Sequence, residues 1–140
     1  MKKILFCAAA AALAFSSCKK SSGNEALAIT KENLIGTYKM TAMTISINGI
    51  KQDGMSSFDP CEKDDLYVLK AGDAFAYTDA GTVCSPDGSY SGSWSLSSNV
   101  ITVDGQAATI TTLTSTKLET TQTVNVQGVN WVTTTTLTRQ

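Results

Sequence analysis

The chain has 140 residues, with 11 basic side chains, 12 acidic ones and no histidine. That length suits one domain, the near-neutral balance offers no basic stripe to displace counterions from nucleic acid, and the missing imidazole removes Ser-His-Asp and Cys-His catalysis as well as His-bound zinc. No G-x-x-x-x-G-K-[ST] or post-strand G-x-G-x-x-G occurs, so phosphate-cradling chemistry has no support either.

Met1-Lys2-Lys3 and the apolar run from Ile4 to Phe15 read as an export signal, because about 12 apolar or small residues fall short of the roughly 20 that span a bilayer. Phe15-Ser16-Ser17-Cys18 resembles a bacterial lipobox, cut before a cysteine that then carries acyl chains such as palmitate, while Ala12-Leu13-Ala14 offers an ordinary cleavage site instead. Cysteine parity favours the lipobox. Cys7 leaves with the leader; acylation of Cys18 then leaves the even pair Cys61 and Cys84 for a disulfide, whereas the ordinary cut strands three thiols. The expected organisation is a lipoprotein signal peptide at 1–17, a Ser/Gly/Asn-rich tether at 18–29 and a folded domain at 30–140. Lys19-Lys20 beside the anchor is the one basic pair of the mature chain, and it does not resemble an acidic surface-export tract. The expected location is the cell envelope, with attachment to the outer membrane facing the periplasm.

Thr30-Lys31-Glu32-Asn33-Leu34-Ile35 supplies a cap and one helical turn before Gly36. Short β-branched and aromatic alternations follow, broken every 8 to 12 residues by turn residues, so the domain is expected to be all-β. The first strand, Thr37 to Ile47, places Tyr38, Met40 and Ala42 on one face and then switches phase to Met43, Ile45 and Ile47, as a β-bulge does. Asn48-Gly49 is a turn signal opening a polar loop to Asp59. Leu66 to Leu69 and Ala74 to Thr78 form a hairpin. Ser89 to Ser97 carries Tyr90, Gly92, Trp94 and Leu96 on one face, with Trp94 as core anchor and Gly92 marking a close approach. Val100 to Val103, Gln106 to Leu113, Lys117 to Val126 and Trp131 to Thr138 complete about eight strands. Short connections imply an antiparallel up-and-down meander, and closing it into a single barrel removes its exposed edges. The tract Thr133-Thr134-Thr135-Thr136 specifies its own register weakly.

Leu34-x-Gly36-x-Tyr38, Asp59-x-Cys61-x-x-Asp64-Asp65, the partner Cys84 and Gly92-Ser93-Trp94 followed by Leu96 resemble the lipocalin-like domains of lipoproteins common in Bacteroidetes. The resemblance covers about residues 30–138 and departs from the family at Tyr38, where a Trp is usual. It implies an eight-stranded barrel on the cell envelope.

A Cys61–Cys84 bond is expected to be structural, since neither a C-x-x-C nor a ligand cluster accompanies it. Asp59, Glu62, Asp64 and Asp65 form the densest charge group. Ca²⁺ needs six to eight oxygens and glycoside hydrolysis needs two carboxylates, but four acids within seven residues without EF-hand spacing read as turn-orienting or solvated groups; Asp59, Asp64 and Asp65 are only weak metal candidates. The expectation is no cofactor, no catalysis, no nucleic acid, and binding as the remaining function. Tyr38, Met40, Leu66, Val68, Phe75, Tyr77, Trp94, Leu96, Ile110, Leu118 and Val124 are the candidate lining of a cavity for a small apolar ligand, and the same residues would serve a filled barrel that docks another envelope protein. The membrane is expected as a partner through the lipid on Cys18.

Overall fold

The computed structural model describes residues 25–140; the export signal, Cys18 and most of the tether lie outside the described residues. Thr30 caps a single helical turn, α1 (Lys31–Leu34), its hydroxyl accepting the Asn33 N–H at 3.3 Å. Nine strands follow: β1 (Gly36–Ile47), β2 (Ile50–Asp53), β3 (Leu66–Leu69), β4 (Ala74–Thr78), β5 (Tyr90–Ser97), β6 (Val100–Val103), β7 (Gln106–Leu113), β8 (Lys117–Val126) and β9 (Val129–Arg139). Every pairing is antiparallel and β9 returns to β1, so eight strands close into a barrel.

The ninth strand, β2, occupies what the sequence suggested was a polar loop. Residues 36–39 of β1 pair with β3, whereas residues 44–47 pair with β2. All four β2 residues are exposed, so no apolar alternation marked them. Three turns at the same end are Xaa-Gly pairs with positive φ at both positions: Asn48-Gly49, Asp104-Gly105 and Gln127-Gly128. Such backbone geometry matches the right-handed twist of the strands it joins. The bulge in β1 falls between Met40 and Ala42, one residue before the expected phase switch, and leaves Thr41 unpaired. Ala42 consequently shares the outer face with its partner Thr136, while Met43, Ile45 and Ile47 return inward.

One end of the barrel is sealed. Leu34 of α1 is fully buried and joins the core cluster that includes Tyr38, Trp94, Ile110 and Leu118. The Trp94 indole N–H donates to the Lys70 carbonyl at 2.9 Å, which satisfies its polar edge inside an apolar site. Ala26 bridges Thr114, the Leu27 N–H donates to the Leu113 carbonyl at 2.8 Å, and Leu27 and Ile29 pack on the core. Among the described residues, contact with the barrel is thus already made at Ala26, within the stretch expected to be tether, because Leu27 and Ile29 supply two apolar side chains to the closed end.

Candidate functional site

The opposite end is open, and acidic residues build its rim. The 79–89 connection contains no strand, so its backbone donors need side-chain acceptors. Asp79, only 7% exposed, accepts the Cys84 N–H at 3.1 Å and the Gly88 N–H at 2.9 Å. Asp65, 2% exposed, accepts the Ala80 N–H at 3.0 Å and the Tyr77 hydroxyl. Asp64 accepts the Thr82 N–H at 3.0 Å, and a Cβ at Gly81 would lie 2.1 Å from its carboxylate. Glu62 accepts the Asp59 N–H at 2.7 Å across a 3₁₀ turn. These carboxylates are thus spent on loop backbone, and among the described residues no group of three or more His, Cys, Asp or Glu is arranged for a metal ion. Cys61 and Cys84 are bonded across the same two loops, with Cα atoms 5.4 Å apart.

Within the rim lies a cavity of about 290 Å³. Tyr38, Leu69, Phe75, Ile101, Leu118 and Leu137 form its apolar floor and walls, and Tyr67, Tyr90, Gln106 and Thr120 add polar groups nearer the mouth. The tyrosines pack on one another: Tyr67 and Tyr77 meet edge-on at 5.3 Å between ring centroids, and Tyr77 and Tyr90 lie 5.5 Å apart. Burial, seconded by the Asp65 charge, pushes the Tyr67 phenol up to about 12. Burial and the hydrogen bond to Asp65 raise Tyr77 further, and burial with Asp104 raises Tyr90. The mouth therefore presents neutral phenols at ordinary pH.

Tyr38 sits where the resemblance anticipated Trp, and its polar end is satisfied differently from an indole. Its hydroxyl donates to the Leu34 carbonyl at 2.7 Å, the Arg139 guanidinium donates to that hydroxyl at 2.7 Å, and the same guanidinium stacks over the ring with its carbon 4.9 Å from the centroid. Arg139 also donates to the Ile35 and Asn33 carbonyls. The floor is thereby tied to both chain ends of the barrel.

A family model for the lipocalin-like domain matches residues 34–122. The chain belongs to the lipocalin-like family. No curated protein and no solved structure matches it.

Of the residues singled out from sequence, the lipocalin-like barrel brings Tyr38, Phe75 and Leu118 to the cavity. Trp94 and Ile110 are buried in the core, and Tyr77 and Leu96 are packed against it. Met40 is half-buried on the inner face beside Leu137. Leu66 and Val68 were assigned to the wrong face: Tyr67 pairs with Tyr38 and Leu69 with Gly36, so those two point inward and Leu66 and Val68 outward. In Leu-Tyr-Val-Leu every residue is apolar or aromatic, and alternation cannot choose a face. Val124 shares the inward-facing side of β8 but lies above the mouth, 49% exposed, and does not line the cavity. Tyr90, Ile101, Val103, Gln106, Ala108, Thr120 and Leu137 also line the cavity without having been singled out, although the period-2 pairs Ile101/Val103 and Leu118/Thr120 carry the signal.

Proposed function

We propose that this protein is a lipid-anchored lipocalin-like protein of the cell envelope that binds one small, uncharged, mainly apolar ligand through the open end of its barrel. The observation that carries this reading is the cavity of about 290 Å³, with an apolar floor and a rim of neutral phenols. That volume sits at the bottom of the roughly 300–1,000 Å³ range of ligand pockets. It speaks against the alternative of a filled barrel serving only as an interaction module. The anchor is supported by the lipobox-like Phe15-Ser16-Ser17-Cys18 and by the mutual bond of Cys61 and Cys84, which fits the cysteine parity expected of lipobox cleavage. Periplasm-facing attachment to the outer membrane goes with that anchor, since Lys19-Lys20-Ser21-Ser22 does not resemble the acidic surface-export tract of Bacteroidetes lipoproteins.

Native mass spectrometry of the protein purified from its own envelope, with extraction of whatever co-purifies, tests the reading. A stoichiometric, uncharged small molecule is the expected result. A clean apo mass, together with no thermal shift across a panel of lipids and pigments, would overturn it in favour of a protein-docking module.

A further inference from the structure

Above the mouth the barrel wall continues as a four-stranded sheet, β2-β1-β9-β8, on one side only. Cross-strand partners share a face, so the ladder register identifies its inner surface. Ile50 pairs with Ile47, Ile47 with Trp131, and Trp131 with Val124. These four residues form one unbroken apolar row across all four strands, on the face that lower down lines the cavity. Yet Ile50 is 68% exposed, Val124 49% and Trp131 40%. Between this row and the cavity floor lies a second kind of row: Gln52, Ile45, Thr133 and Gln122, with Thr135 and Thr120 beneath. It is uncharged, and no hydrogen bond to another described residue engages the side chains of Gln122 and Thr133.

Three arguments select the occupant. The face is continuous with the cavity: along β9, Leu137 in the cavity and Trp131 on the wall are separated by about 20 Å at roughly 3.3 Å per residue. It carries no charge, which excludes an ionic headgroup or a charged peptide as its natural complement. It is also small. Four strands about 4.8 Å apart and five residues of about 3.3 Å give roughly 320 Å², well under the roughly 800 Å² per partner of a stable protein interface.

We infer that this wall is the outer half of the ligand site, and that the ligand is an elongated, uncharged amphiphile with two apolar ends and a hydrogen-bonding group between them. One end fills the cavity, the middle meets the Gln122 and Thr133 belt, and the other end lies on Trp131, Ile47, Val124 and Ile50. The inference rests on the binding function proposed above and extends its ligand beyond the barrel.

Three alcohols test it on the purified full chain: 1-octanol, which fits the cavity alone, and the isomers 1-hexadecanol and 8-hexadecanol, each delivered from cyclodextrin. The sixteen-carbon chains should shift the Trp131 emission to the blue, and 8-hexadecanol, with its hydroxyl at mid-chain, should bind about fivefold tighter than 1-hexadecanol, the worth of about one hydrogen bond. Trp131→Ser should weaken both by about fivefold, as expected for losing one side of an apolar contact, and leave 1-octanol within about twofold. Val124→Thr, one strand away, should show the same selective loss, which guards against a local defect at position 131. If 1-octanol binds but the longer chains bind no tighter and Trp131 emission stays put, the wall is refuted while the barrel remains a binding site. If no alcohol binds, the barrel reading itself fails. If the Trp131 emission depends on protein concentration without ligand, a second copy covers the wall and the inference is overturned.

Discussion

Replacing Cys61 and Cys84 together by Ala removes a bond that closes a loop over a sequence separation of 23. In the chain-entropy account, freeing that loop in the unfolded chain lowers stability by about 3.4 kcal/mol. For the residues 25–140 that form the domain, an unfolding entropy of about 2.1 cal/mol/K per residue gives roughly 0.24 kcal/mol/K, so Tm should fall by about 14 °C. The native loops should survive the substitution. Asp65 still holds Ala80, Asp64 still holds Thr82, and Asp79 still holds residue 84 and Gly88 through backbone N–H groups. Far-UV circular dichroism melts of wild type, reduced wild type and the double variant provide the measurement, with the reduced wild type expected to match the variant. A drop under about 3 °C would refute the reasoning, since the bond would then restrict nothing that the unfolded chain explores. A loss of cooperativity instead of a shifted melt would show that the carboxylates cannot hold the rim by themselves.

Asp79→Ala leaves the N–H groups of Cys84 and Gly88 without their charged acceptor in a buried setting; with about 1.5–3 kcal/mol for each such bond, urea unfolding should show a loss of about 3 kcal/mol at unchanged slope, and a loss under about 1 kcal/mol would contradict the role given to it. The mouth tyrosines make stability fall in alkali. Tyr67 is pushed up to about 12 and Tyr77 is raised as well, so the folded state keeps protons that the unfolded chain sheds near 10. Their contribution is fully present below about pH 10 and is lost as pH rises toward 12; Tm scans with absorbance at 295 nm should show late phenolate formation, and ionisation of all tyrosines near pH 10 in folded protein would contradict it.

Much of the barrel was legible because its signals were local and redundant. Asn48-Gly49, Asp104-Gly105 and Gln127-Gly128 demanded tight turns, Trp94 sat in a clean alternation, and two phases within one strand demanded a bulge. The rim was legible in composition and in its acids serving backbone N–H groups, but not in which backbone they hold. Asp64 and Asp65 looked like a charge cluster on a strand approach, and only tertiary structure brings them beneath the backbone of a loop some 15 residues further on. Leu66 and Val68 went to the wrong face for the same reason: β3 is four apolar residues long, and its facing is decided by pairing with Tyr38 and Gly36 rather than by its own pattern.

The threonine tract of β9 joins register in folding to the wall proposed above as a binding surface. Thr133 to Thr136 cannot choose between faces, yet they are bracketed by Leu137, paired with both Met40 and Leu118, and by Trp131, paired with both Ile47 and Val124. A slip by one residue would send both brackets to the outer surface. Leu137 needs only burial to do this, and it packs against the core. Trp131 stays 40% exposed beside a Val124 that is 49% exposed. A residue kept solely to set register would gain by being covered, as Leu34, Trp94, Ile110, Leu113 and Leu118 are. Leaving an indole and two aliphatic side chains open above a cavity is a standing loss of burial, which the apolar occupant proposed above would recover.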